Sequence, residues 1–586
     1  MARGHEVDKG DIRSERHNEQ GEGALSSGSD VLGRLASAAS RCALCGFCQA
    51  LCPTIEATGH RESHGPRGRV LIAGALARGE ASSPDPFYTC LGCRACYYAC
   101  PAGIDAWEVS RDARRLWAGT PREDPLASAI SSAILELEDP LGLTRGDVSG
   151  WAEGLGIPRP SPGDGLPLLI TGHMYQIMPY VVGLSGIRDR LGEGPLRALA
   201  RVASRAPRIL RLARPFADGR SVALYRGYLR NIASLLRAAG VEFAYDPLEP
   251  YPGTLLYELG HDAEFARYAR AFADYLRGLG ASRVITVDPH TRDLLAEVYP
   301  RYVEGFGVEV LHYADLLGGL ELRDLGISVA YHEPCHFAVR DEPLAAVGSL
   351  LGRAAEVRYA RRSGRRNLCC GGPAELLRGG VAAAVSWRRF AELKELGADL
   401  IVTACPICHV NLNKDGSVVD ASEVLAAAAG LKRLRRPLEG ARGTAINSFG
   451  PAAGLHRSRG NAELPDPAPQ LGHGGRRLPH YPAVEVLARS PPGPSWASST
   501  LPRGSSSPRR PTRAARGGTG TTGSPGRGIR ASPPRRSRRP ASSWMPGRCW
   551  TSSSACWTLN HALFSVDGSP RRGSSGGSPV SRAPGP

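Results

Sequence analysis

The sequence predicts an α+β multidomain protein, and three observations predict it. The run Cys42-x2-Cys45-x2-Cys48-x3-Cys52-Pro53 recurs as Cys90-x2-Cys93-x2-Cys96-x3-Cys100-Pro101. From Leu166 short apolar strands alternate with amphipathic helices, and one strand–helix unit occurs twice, at 279–291 and 396–408. From Pro437 the composition shifts abruptly to Arg, Pro, Ser and Gly. These divide the chain into a mobile arm (1–37), a helical module carrying both cysteine runs (38–118), a linker (119–162), two α/β halves (163–320 and 321–436) and a tail (437–586).

Charge separates the tail from the rest. The 586 residues carry +17, but those from Pro437 onward hold 21 Arg, no Lys and 5 acidic residues, which leaves +1 on the first 436. The part expected to fold is therefore nearly neutral, and no nucleic-acid partner is expected. No apolar periodicity survives in the tail, so it is expected to be disordered. A GC-rich gene read out of frame or past its stop produces such a composition; a basic arm for RNA or an acidic surface is the other reading. Cys549 and Cys556 lie there.

The other thirteen cysteines all sit in spaced motifs, in a chain that opens without an apolar leader. Metal-holding thiolates are expected rather than disulfides, and with them a reducing, cytoplasmic compartment. No stretch reaches the roughly 18–20 apolar residues of a membrane span. The most apolar, 166–183, contains His173 and Gln176 and reads as buried strand and helix.

Each cysteine run has the spacing of the bacterial ferredoxin ligands to a [4Fe–4S] cluster. Three residues of a tight turn wrap one face of a cube. The fourth, before a Pro, points to the neighbouring cluster. Cys42, Cys45, Cys48 and Cys100 are thus expected on one cluster, and Cys90, Cys93, Cys96 and Cys52 on the other. Zinc favours paired CxxC motifs over a triple followed by Cys-Pro. A helix is expected over 69–77, between the runs.

Five more cysteines come from three places: Cys335 in Tyr331-His332-Glu333-Pro334-Cys335-His336, Cys369-Cys370-Gly371-Gly372, and Cys405-Pro406-Ile407-Cys408. We read them as one metal site just after strands of a parallel sheet, where α/β folds place their sites. A zinc ion or an ordinary cubane remains open for it. The first half lacks cysteines; Asp288 falls on Cys405, Thr291 on Cys408, His173 near Cys335, and Tyr251-Pro252-Gly253 near Cys369-Cys370-Gly371, off by one residue. His332 and His336 are candidate proton donors, because a neutral-range pKa suits that role. The helix over 379–396 reads as a packing element on the sheet, and the helix over 422–434 as the natural end of the folded part.

The Cys-x33-Cys-Cys-Gly-x33-Cys-x2-Cys pattern resembles the cysteine-rich CCG domain. With the two ferredoxin runs, residues 38–436 most resemble the D subunits of heterodisulfide reductases, and are related to the iron–sulfur subunits of glycolate and lactate oxidation. The resemblance implies two α/β CCG-type halves, the first degenerate. It implies a noncubane [4Fe–4S] cluster on Cys335, Cys369, Cys370, Cys405 and Cys408. It further implies electrons passing through two [4Fe–4S] clusters to this third one, which reduces a disulfide. The glycolate branch implies instead an electron-transfer subunit for a flavin-dependent 2-hydroxy acid dehydrogenase. No glycine-rich dinucleotide fingerprint lies between a strand and a helix, so a flavin belongs to a partner. The implied partner is a flavoprotein or a membrane cytochrome b subunit, through which the chain contacts the membrane peripherally. His173 and His290 either line a pocket or remain as structural traces of the repeat.

Overall fold

The computed structural model describes residues 28–80, 83–338 and 346–434. The tail and residues 1–27, with the readings made of them, lie outside this set.

The first module is helical. Helix Gly28–Ser40 stacks Val31, Leu35 and Ala38 on one face, and these pack with Val70, Phe87, Val109 and Trp117. The expected arm therefore ends before residue 28. Three apolar residues at helical spacing decide this against a Ser- and Gly-rich background. The helix between the runs is Pro66–Ala77, opened by its proline.

Residues 119–162, expected as a linker, are packed structure instead. Asp124 caps helix Pro125–Leu137 by accepting from the Leu126 amide, and Ala127, Ile130, Ala133 and Ile134 are buried. Trp151 is fully buried, its ring 4.9 Å from that of Tyr245. The Pro and Gly residues that suggested a spacer mark helix starts and turns.

Two parallel sheets follow. β1 (Leu168–Ile170), β2 (Arg283–Thr286) and β3 (Glu309–His312) lie in the order β1-β2-β3. β4 (Ser328–His332), β5 (Glu356–Arg358), β6 (Leu400–Thr403) and β7 (Val418–Asp420) lie in the order β5-β4-β6-β7. β1, β4, β6 and β7 are buried throughout, as strands covered on both faces should be. Helices Gly379–Lys394 and Ala421–Ala428 pack beside the second sheet, the latter ending well before residue 434 at Gly430, whose φ is +74°.

The sheets share one core, tied by buried polar contacts. Tyr175 donates to Asp420 at 2.8 Å, Asn231 donates to Glu423 at 3.0 Å, and the Tyr225 and Tyr228 hydroxyls meet the two ring nitrogens of His409 at 2.7 and 3.1 Å. Arg114 joins the helical module to this body: it donates to the carbonyls of Phe87, Cys90 and Glu258 at 2.7–3.2 Å.

Candidate metal centres

The cysteine-run loops need two left-handed residues each. In the first these are Leu44 and Gly46, in the second Gly92 and Arg94, so glycine occupies opposite positions in the two copies. Asp105 holds Arg94 at 2.6 Å. Cys42, Cys45, Cys48 and Cys100 line one small cavity. Burial, then the neighbouring Cys100 and Cys42, push Cys48 up to about 11. Cys52 joins Cys90 and Cys93 around Cys96, whose thiol is raised by burial and by these sulfurs. The runs therefore exchange their fourth cysteines. The crossing is made where the turn Phe47–Leu51 packs on the short helix Ala95–Tyr98.

The third group is deeper. Cys335 follows β4 by three residues, and Cys405 caps helix Pro406–Leu412 directly after β6. Cys369 and Cys370 sit in a turn that only glycine completes. Gly371 has φ +88°, and a Cβ there would lie 2.6 Å from the Ala382 carbonyl oxygen; one on Gly372 would overlap the Ile407 side chain. The amides of Gly371 and Gly372 donate to the sulfurs of Cys369 and Cys370, each at 3.4 Å. All five cysteines are buried. Hydrogen bonds from Cys369 and Cys408 hold Cys370 well below the usual thiol range. Burial opposes ionisation of Cys405, but bonds to Cys408 and His290 bring it down to about 5. The second and third groups touch, the Cys93 thiol lying within hydrogen-bonding reach of Cys369.

All thirteen cysteines among the described residues are free thiols. They gather in two groups of four and one of five, with backbone amides donating to the sulfurs of Cys100, Cys369 and Cys370. Sulfurs this close repel one another as thiolates, and a set of soft ligands relieved by bound cations fits iron–sulfur chemistry.

A cavity of about 750 Å³ opens beside this contact, lined among others by Cys90, Cys335, Glu258, His290, His336 and Met178. The His290 and His336 rings are 4.0 Å apart, Glu258 lies 3.7 Å from His290, and Asp293 lies 2.6 Å from His336. Against the cost of burial, contacts with Cys405 and Glu258 raise His290 well above the ordinary histidine range. Burial and His290 lower His336 to about 3. The neutral-range titration expected of His336 is thus not what its surroundings favour. His332 does not titrate in that range either, because burial and Arg389 hold it well below. Its Nδ1 accepts from Arg389 at 3.0 Å, which places the ring hydrogen on Nε2, and a ring nitrogen lies within 4.8 Å of the Cys370 and Cys408 sulfurs.

The first-half histidines separate. His290 reaches the cavity. His173 does not: it is clamped between Asp139 at 2.9 Å and the Glu249 carbonyl at 3.0 Å. Glu249 is pushed up to about 6 from 4.5, chiefly by burial, with His173 opposing. A raised carboxyl contributes stability that is whole below pH 4.5 and lost as pH rises through about 6. Urea unfolding of wild type should therefore lose about 2 kcal/mol over that window relative to Glu249→Gln. Parallel pH profiles would contradict this.

Glu258, Asp293 and Arg389 carry no motif and were not foreseen. Arg389 alone left a signal, a charge on the stripe Val385–Arg389–Leu393 of a packing helix.

Comparison with known proteins agrees with this geometry. Residues 38–104 match the 4Fe-4S dicluster domain, and 329–413 match the cysteine-rich CCG domain. The chain thus carries a dicluster region and a CCG region in a fold of mixed helix and sheet, and it is similar to iron–sulfur oxidoreductase subunits that include a heterodisulfide reductase D subunit and glycolate oxidase iron–sulfur subunits. It is 25% identical over 452 residues to a probable membrane-anchored ferredoxin of Chromohalobacter salexigens, covering 66% of this chain and 59% of that one. It is 23% identical over 431 residues to the D subunit of the dihydromethanophenazine:CoB–CoM heterodisulfide reductase of Methanosarcina barkeri, covering 67% and 94%. A 77-residue segment is 39% identical to the probable glycolate oxidase iron–sulfur subunit of Bacillus subtilis, covering 12% and 17%. The chain thus spans less than two thirds of the length of the first of these relatives and under a fifth of the third. No helix among the described residues is long and apolar enough to cross a membrane.

Proposed function

We propose that this chain carries electrons inward through two [4Fe–4S] centres to a third centre, where a disulfide is reduced to two thiols. The observation that supports this most is the cavity beside Cys335. A pure conduit has no need of a chamber of about 750 Å³ where two sulfur groups meet. Cys42, Cys45, Cys48 and Cys100 would hold the first group, and Cys90, Cys93, Cys96 and Cys52 the second. Cys335, Cys369, Cys370, Cys405 and Cys408 would hold the third, a noncubane [4Fe–4S] cluster. Such clusters supply one electron at a time at a potential set by their surroundings.

The chain's own residues do the rest. Electrons enter from a partner subunit, a flavoprotein or membrane cytochrome b, at the first group. There Cys45 is exposed and flanked by Leu44 and Phe47, 53% and 64% exposed. Met174, Met178 and Ile177 give the cavity an apolar wall for a sulfur-rich substrate. Reduction of R–S–S–R′ takes two electrons and two protons and releases R–SH and R′–SH. His290, between Glu258 and Cys405, is placed to deliver a proton to a leaving sulfur; His336, held on Asp293, packs against its ring, and the second proton comes from solvent.

We also read the α/β body as two related halves, the first degenerate. His173 follows β1 by three residues as Cys335 follows β4. Gly253 (φ +89°) and Gly371 (φ +88°) both precede a helical turn, which aligns Tyr251-Pro252 with Cys369-Cys370 without the offset suggested by spacing. Asp288 and Cys405 both cap helices whose first residue is proline.

The 77-residue likeness to a glycolate oxidase subunit supports a second reading, relay for a 2-hydroxy acid dehydrogenase. The two separate in one assay. Anaerobic chain supplied with reduced viologen should oxidise two viologens per disulfide added and release two thiols. Absence of turnover, together with glycolate-dependent reduction through a flavoprotein partner, would establish the relay instead.

A further inference from the structure

One surface of the body is built inside out. Helix Glu193–Ala203 and the tight turns Pro207–Phe216 lie over helix Pro125–Leu137. What they bury there is small: Ala200 and Ala203 against Ala129, with Leu126, Ile209 and Leu210 at the margin. The larger apolar side chains point outward. Leu191, Leu199, Val202 and Leu212 are 64%, 47%, 51% and 71% exposed. A helix on a water-facing surface normally does the reverse.

Charge on the same stretch has one sign. Residues 190–212 contain six arginines and a single acidic residue, Glu193. Arg197 is tied to Asp124 and Arg208 to Glu136. Arg190, Arg201, Arg205 and Arg211 are exposed around the leucines. Apolar tips interleaved with guanidinium groups suit the boundary between headgroups and acyl chains. Arginine stems lie along apolar surface while their heads stay with phosphate. Each basic residue near an anionic bilayer contributes about 1 kcal/mol.

We propose that residues 190–212 form a lipid-docking surface that rests flat on an anionic bilayer, giving the chain its own contact with the membrane. The occupant is a lipid surface rather than a protein because six arginines face a single acidic residue, Glu193, so the patch is strongly net positive. The face needs no spanning segment.

The test uses the full chain and a probe confined to the patch, since the Arg-rich tail is itself basic. Leu199→Trp and Leu212→Trp are made, with Leu71→Trp, at an exposed site on the helical module, as control. Each is mixed with vesicles of phosphatidylglycerol and brominated phosphatidylcholine in equal parts, or of brominated phosphatidylcholine alone. Bromine quenches indole only within the acyl layer. Quenching at 199 and 212, absent at 71 and abolished in phosphatidylcholine alone, is the expected result. Adding Arg201→Glu and Arg205→Glu should weaken binding about tenfold or more with iron content unchanged. Chain that sediments with anionic vesicles without quenching at 199 or 212 overturns the proposal. So does chain that ignores both vesicles, which would assign the patch to a protein partner.

Discussion

Arg114→Ala is expected to destabilise the protein by about 3 kcal/mol or more. The guanidinium donates to three carbonyls, those of Phe87, Cys90 and Glu258, from a nearly fully buried position. Removing it leaves buried acceptors without donors, at about 1–3 kcal/mol each. It also lies 5.0 Å over the Trp107 ring and 5.4 Å over that of Tyr88. Because two of the carbonyls belong to the helical module and the third to the α/β body, the loss should fall on their union. Urea melts of the iron-loaded protein should show an earlier first transition, and iron should leave the Cys90–Cys96 loop first. A melt indistinguishable from wild type would show that other contacts hold the module in place.

Gly371→Ala should remove the third centre and spare the other two. An alanine at φ +88° costs about 1–2 kcal/mol in backbone strain alone. The methyl group would also press on the Ala382 backbone, which is part of helix Gly379–Lys394 and cannot yield as a side chain would. The turn must open, and with it the amide bonds to the Cys369 and Cys370 sulfurs. Iron content should drop by about a third, while the signals of the two remaining clusters persist on reduction. Full iron content in this variant would mean that the turn tolerates a side chain and that its geometry does not shape the site.

Much of this site was legible because its chemistry is carried by spacing. Cysteine triplets with a distant fourth, and two adjacent cysteines before two glycines, have few uses other than metal binding. The crossed arrangement of Cys52 and Cys100 followed from the direction in which a Cys-Pro step points the chain. What spacing does not carry was not foreseen. The approach of Cys93 to Cys369 is a tertiary contact between segments more than 270 residues apart. Glu258 and Asp293 look like ordinary surface carboxylates in sequence, yet they flank the two cavity histidines. His336 sits beside a cysteine ligand candidate and invited a proton-donor role, but its pKa is set by burial and by His290, which only folding brings near. The fold shows the same division. Val31, Leu35 and Ala38 make a helix of what composition suggested was an arm, and Trp151 makes core of what Pro and Gly suggested was a linker. In both, a few well-spaced apolar residues outweighed the average character of the stretch.

The proposed function requires three sulfur groups to act as three centres. Anaerobically purified chain should contain about twelve irons with matching acid-labile sulfide and no zinc. In Cys370→Ser the count should drop to about eight, with the two cubane signals intact by electron paramagnetic resonance. About eight irons and one zinc in the wild-type protein would contradict it, leaving two relays beside a structural metal and no centre at which a disulfide could be reduced.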